Sequence, residues 1–137
     1  MGVGLAEGLG PTCEKDVGVL LQAAAVVVVL TIVAHSYLGE KRLIGPILAV
    51  DSPITQAPLA RAVIRFAWHF TSLLGLVVAM LLWRSGSRPE AADPVVVAAT
   101  GFVLLGSGLI DAVWSRFRHV GWPMLAAAGL LTLGSFV

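Results

Sequence analysis

Residues 17–39 read VGVLLQAAAVVVVLTIVAHSYLG and contain no Asp, Glu, Lys or Arg. A helix that crosses the hydrocarbon core of a bilayer needs roughly 20 apolar residues, so this segment is long enough to span a membrane. Three further stretches without a formal charge follow at 66–83, 94–110 and 119–137. The chain is therefore predicted to be an all-α, polytopic membrane protein, folded as a bundle of four transmembrane helices.

The composition of the 137-residue chain agrees with this prediction. Hydrophobic residues make up 58% of the chain and charged residues 12%, with a mean hydropathy of +0.92. Soluble domains carry about 25% charged residues. The net charge is only +1, and the nine Lys and Arg residues cluster near the predicted helix ends, which argues against a nucleic-acid partner. The protein is expected to be embedded in the lipid bilayer.

Residues 1–137 are predicted to form one domain, and helix start signals locate the helices within it. Pro58 and Pro94 have the positions of first-turn prolines, and Asp93 precedes Pro94 as an N-cap residue. Trp122-Pro123 marks the start of the fourth helix in a similar way. The predicted helices cover about 17–38, 59–83, 94–115 and 120–136, after a short N-terminal tail. Residues 39–58 are expected to form a loop. Its apolar run at 43–50 is too short to span the bilayer, so we expect it to lie at the membrane interface.

The basic residues of the loops indicate an orientation. The tail and the loop after the second helix hold three of them, whereas the other two loops and the first turns of the second helix hold six: Lys41, Arg42, Arg61, Arg65, Arg116 and Arg118. Because basic loops stay in the cytoplasm, both termini are predicted to lie outside. In a bacterial-type inner membrane this orientation makes the 39–58 loop cytoplasmic.

Small residues recur at a four-residue spacing in the predicted helices. Gly75 with Ala79 and Gly108 with Ala112 follow this pattern, and residues 126–129 of the last helix are all small. Such residues allow helix backbones to approach closely inside a membrane, so they are predicted to form contacts within the bundle. Self-dimerisation through these residues is the alternative.

A short set of ionisable side chains lies within or near the predicted spans. Ionised groups at this depth cost roughly 2–4 kcal/mol, which makes them candidates for function. The predicted orientation brings the whole set toward the cytoplasmic side, although its members come from separate helices. The set forms one predicted polar cluster: His35, Glu40, Arg65, His69 and Asp111.

Each member of this cluster also has a structural interpretation. Arg65 and the other helix-end arginines are expected to extend toward the headgroups. Asp111 is expected to form an ion pair with an arginine, because a buried carboxylate needs a compensating charge. His119, at the start of the fourth helix, is expected to be solvated.

His35 and His69 support three interpretations. They are predicted to lie one to two turns from the cytoplasmic surface on neighbouring antiparallel helices, where two histidines can ligate a haem iron or a transition metal. They can also be hydrogen-bonded structural residues, or groups that handle protons. No Glu-x-x-His pair accompanies them, and the single Cys13 has neither a disulfide partner nor metal-ligand spacing.

The sequence leaves three functional hypotheses, and no catalytic motif assigns an enzyme class. The first is a binding or accessory subunit of a membrane assembly, or a homo-oligomer, because four short helices leave no room for a soluble catalytic domain. The second is a membrane redox protein that binds haem or a metal through His35 and His69. The third is a small dimeric, proton-coupled transporter that uses Glu40 or Asp111 as its coupling carboxylate.

Overall fold

The computed structural model describes residues 11–137, and 87% of them are helical. Most of the predicted N-terminal tail and the side chain of Cys13 lie outside the described part. The elements are α1 (Pro11–Gly39), a π-helical turn (Glu40–Ile44), α2 (Gly45–Ala49), α3 (Pro53–Gln56), α4 (Pro58–Ser87), a 3-10 turn (Pro89–Ala91), α5 (Pro94–Trp114) and α6 (Gly121–Gly134). The described chain contains no strand, which confirms the predicted all-α class.

Three helices are long and apolar enough to cross a membrane, within Glu14–Ala49, Pro58–Ser87 and Pro94–Trp114. The fourth, α6, has 14 residues. At ~1.5 Å per residue it extends about 21 Å, which is less than the ~30 Å hydrocarbon core. The architecture is thus a helical membrane bundle with three long apolar helices and one shorter apolar helix.

The predicted loop at 39–58 is largely helical. α1 continues through the π-helical turn into α2, and the Gly45 N–H bonds to the carbonyl of Glu40, five residues earlier. The next residue, Pro46, has no N–H to donate to the carbonyl four residues before it, and its ring would crowd that carbonyl. A π-helical turn accommodates this defect without ending the helix. Glu40 therefore stays on the helix, one turn after Ser36.

A short hairpin connects α2 to α4. The Ser52 side chain accepts a hydrogen bond from the Thr55 N–H, and the Thr55 hydroxyl accepts one from the Ser52 N–H, which forms a capping box at α3. Arg61 Nη1 donates to the carbonyls of Leu48 (2.8 Å) and Thr55 (3.0 Å). Arg61 thus holds the ends of α2 and α3 together, instead of only extending to the headgroups.

The α5 helix begins where the sequence predicts. The Asp93 carboxylate caps it by accepting hydrogen bonds from the N–H groups of Val95 (2.8 Å) and Val96 (3.3 Å), and Pro94 occupies the first turn. The preceding helix, α4, extends four residues past its predicted end at residue 83 and stops before Pro89.

The four apolar helices, α1, α4, α5 and α6, lie in a row. α1 packs between α4 and α6, α5 packs on α6, and α4 barely contacts α5. Gly108 lies against the Ala126 backbone, and Ala79, Ala112 and Ala128 are buried. These contacts confirm the predicted role of the small residues in packing. The row leaves α4 and α5 as its two edge helices.

The two ends of the bundle differ in charge. α1 and α4 are antiparallel, so Gly18 lies near Gly86 and Gly39 lies near Trp68. The end formed by the C-terminus of α1 and the N-terminus of α4 holds Lys41, Arg42, Arg61 and Arg65. We call it the basic end.

Candidate functional site

Three of the predicted cluster residues meet at the basic end. Glu40 Oε1 accepts hydrogen bonds from Arg65 Nη2 (2.8 Å) and Nε (3.0 Å). Its second oxygen, Oε2, is buried, has no hydrogen-bond partner among the described residues, and lies 3.6 Å from His69 Nε2. The π-helical turn positions Glu40, and the four-residue spacing of Arg65 and His69 places both on one side of α4. The carboxylate therefore lies between a fixed cation and a titratable ring.

Two serines extend this network toward the middle of the bundle. Ser36 Oγ lies 3.2 Å from His69 Nδ1 and 2.8 Å from Ser72 Oγ. Each serine hydroxyl can donate or accept a hydrogen bond, and the direction of the Ser36–His69 bond depends on the tautomer of His69. Glu40, His69, Ser36 and Ser72 thus form a row of polar groups between α1 and α4, which is hydrogen-bonded from His69 to Ser72 and has a 3.6 Å separation between Glu40 and His69. We call it the polar chain.

His35 belongs to a different environment. Its ring stacks on Trp68 with centroids 4.2 Å apart and an angle of 8° between planes, and its Nε2 lies 3.1 Å from Thr71 Oγ1. The Trp68 Nε1–H donates to the His35 carbonyl at 3.3 Å. Trp68 can lie this close because Gly39 has no side chain; a Cβ there would overlap the indole.

The proposed pair of histidine ligands is therefore engaged elsewhere. His35 interacts with Trp68 and Thr71, whereas His69 faces Ser36 and Glu40. Across residues 11–137, no group of three or more His, Cys, Asp or Glu residues is arranged to hold a metal ion. Binding of haem or a transition metal by these two histidines stays a prediction.

Asp111 forms a second site, at the turn between α5 and α6. Its Oδ2 lies 2.6 Å from His119 Nδ1, so its partner is a histidine and the expected arginine partner is wrong. The reason is local: Arg116 and Phe117 adopt left-handed backbone conformations with φ of 53° and 62°, which reverses the chain and returns His119 to α5. His119 is half exposed but paired.

The structure thus divides the predicted set. Glu40, Arg65 and His69 share one network, His35 contacts Trp68 and Thr71, and Asp111 pairs with His119. The contribution of Trp68 and Gly39 was not predicted. No signal in one sequence shows which glycine faces which indole, because that depends on the register between two helices.

Comparisons with known proteins give no match: no family model fits the sequence, and no curated protein or solved structure is significantly similar to it.

Proposed function

We propose that this chain is a small integral membrane protein that acts as a binding subunit of a larger membrane assembly, formed with further copies of itself or with a partner protein. The contact helix in this proposal is α4. The observation that carries it is the poor coverage of α4 by the rest of the chain: 11% of its most apolar 18 residues are buried, against 39% for α1.

The outer face of α4 is apolar. It exposes two stacked aromatic rings, Phe66 and Phe70, with centroids 5.4 Å apart, followed by Val77 and Met80 toward the other end. In lipid, exposed apolar side chains alone do not drive association, because lipid tails are equally apolar. Close packing and polar contacts are needed in addition.

Polar groups flank this apolar face. The side chain of Arg65 is 50% exposed and that of His69 is 44% exposed, and both lie on α4 at the basic end. Exposed ionisable groups at membrane depth are costly unless headgroups or another protein cover them. A partner that packs on the outer face of α4 would bring polar groups within reach of Arg65 and His69.

For the location, we propose a bacterial-type inner membrane with both termini outside. The excess of Lys and Arg at the basic end supports this orientation. The polar chain would then lie toward the cytoplasmic leaflet. A reporter that functions only in the periplasm, fused after Val137, should be active; a reporter that functions only in the cytoplasm should be inactive there.

The mass of the purified protein in a mild detergent tests the subunit proposal. We expect a dimer or a larger complex. Val77→Ala on α4 should weaken it, whereas Val103→Ala on α5 is a matched control, since the two valines are 60% and 67% exposed. A stable monomer that captures no other membrane protein would contradict the proposal.

A second candidate function, proton movement in a proton-coupled transporter, is favoured by the polar chain. His69, Ser36 and Ser72 form a hydrogen-bonded path, and Glu40 Oε2 lies 3.6 Å from His69 Nε2, so a closer approach of these two groups would complete the path. Proton uptake by liposomes that contain the protein would be lost in Glu40→Gln if this function is correct. Equal uptake by liposomes with and without the protein would exclude it.

A further inference from the structure

A groove of about 480 Å³ runs along the surface between α1 and α4. Its walls are aliphatic and come from both helices: Ile32, Val33, Leu73 and Leu76. Ser36 and Ser72 contribute hydroxyl groups, and Tyr37 lines the side toward the basic end. The groove is thus apolar, except at the depth of the Ser36 and Ser72 hydroxyls.

A cation lies next to the groove at the basic end. Lys41 Nζ donates a hydrogen bond to the Tyr37 hydroxyl at 2.7 Å and lies 4.6 Å from the centre of that ring. Lys41 is exposed and follows Tyr37 by one helical turn. Because Tyr37 lines the groove, its hydrogen bond fixes the ammonium group beside the groove entrance.

The order of chemical groups along the groove matches that of an amphiphile. Aliphatic side chains at residues 32, 33, 73 and 76 are followed by the hydroxyls of Ser36 and Ser72, and then by the Lys41 ammonium group. A phospholipid has the same order: acyl chains, ester carbonyls and phosphate. Basic pockets between membrane helices bind anionic lipid headgroups, and this entrance is basic.

We propose that the groove between α1 and α4 binds one anionic phospholipid, with its phosphate at Lys41 and an acyl chain along Ile32 and Leu76. The hydroxyls of Ser36 and Ser72 lie at the level of the ester groups. Arg65 also lies near this end of α4, but Glu40 compensates its charge. Within residues 11–137 Lys41 has no ion-pair partner, so it supplies a positive charge beside the groove that selects an anionic over a zwitterionic headgroup.

This site borders the outer face of α4 at Leu73, but Phe66, Phe70 and Val77 do not line the groove. Variants at Lys41 and Val77 therefore test the lipid site and the subunit contact separately. An oligomer that binds no lipid would contradict only this inference. A monomer that retains the lipid would contradict only the subunit proposal.

Native mass spectrometry of the full-length protein tests the inference. The protein in detergent is incubated with phosphatidylglycerol or with phosphatidylcholine that has identical acyl chains, so that the added lipid replaces any bound one. We expect one retained phosphatidylglycerol and roughly fivefold less phosphatidylcholine, because the choline cation cancels the net negative charge that attracts Lys41, and one Lys near an anionic lipid contributes about 1 kcal/mol. Lys41→Gln should lower phosphatidylglycerol retention to the phosphatidylcholine level. Arg42→Gln, which removes a charge at the same depth outside the groove, should leave it unchanged.

A second variant tests the acyl-chain part of the site. Leu76→Trp should fill the groove and reduce retention of both lipids, whereas Val103→Trp on the exposed face of α5 should not. Equal retention of the two lipids by the unmodified protein would overturn the inference. So would equal losses in Lys41→Gln and Arg42→Gln, or full retention in Leu76→Trp.

Discussion

Arg65 Nη2 lies 2.8 Å from Glu40 Oε1, and this ion pair joins the π-helical turn after α1 to the first part of α4. The two residues are 25 positions apart, with α2, α3 and the Arg61-stabilised hairpin between them. The pair therefore links the two longest helices at the basic end. It also holds one Glu40 oxygen, which leaves the other oxygen directed toward His69.

A double-mutant cycle measures this pair. Glu40→Gln and Arg65→Gln should each lower the free energy of unfolding in detergent, with a coupling of about 0.2–1 kcal/mol, since both side chains are partly exposed and such pairs are weak. Denaturant titration followed by circular dichroism gives the four values. Strictly additive effects would show that the pair does not contribute to folding.

Two glycines of α5 provide a matched test of helix packing. A Cβ at Gly108 would lie 2.7 Å from the Ala126 backbone nitrogen, whereas a Cβ at Gly106 would meet nothing within 4 Å. Gly108→Ala should therefore destabilise the fold by about 1–3 kcal/mol through overpacking. Gly106→Ala should be neutral or stabilising by up to about 1 kcal/mol, because alanine favours helix. Equal effects on the thermal midpoint would contradict the α5–α6 contact.

The contact between Gly39 and Trp68 predicts a non-additive effect. Gly39→Ala should destabilise the protein by roughly 1–3 kcal/mol, because the new methyl group overlaps the indole. In a Trp68→Leu background the same change should cost much less, since the large ring is absent. If Gly39→Ala costs the same in both backgrounds, the indole does not lie against this residue.

The cofactor hypothesis has a spectroscopic test. His35 and His69 would both have to leave their present partners to ligate one haem iron or metal ion. We therefore expect no Soret band and no stoichiometric metal in protein purified from membranes. A Soret band that disappears in both His35→Ala and His69→Ala would instead establish the redox hypothesis.

The sequence predicted those features that depend on local chemistry. The uncharged runs predicted the helices, and Asp93-Pro94 predicted the start of α5 because capping involves only neighbouring residues. The continuation of the helix past Gly39 was not predicted, because the Gly45-Pro46 pair is expected to bend or end a helix. The π-helical turn that accommodates Pro46 has no sequence signature.

The candidate site was predictable only in part. Glu40, Arg65 and His69 were grouped from their expected depth on the cytoplasmic side, and the structure brings these three together. Depth alone could not separate Asp111 from that group. Its pairing with His119 depends on left-handed backbone conformations at Arg116 and Phe117, which neither residue type favours.

Cysteine cross-linking in native membranes decides whether α4 is a contact helix. In a Cys13→Ser background, single cysteines replace Val77 on the outer face of α4, Ala79 in its buried contact, or Val103 on α5. We expect a cross-linked product of higher mass from position 77, none from 79, and much less from 103. Equal products from 77 and 103, or none from 77, would contradict the assignment of α4 as the surface through which this protein joins a membrane assembly.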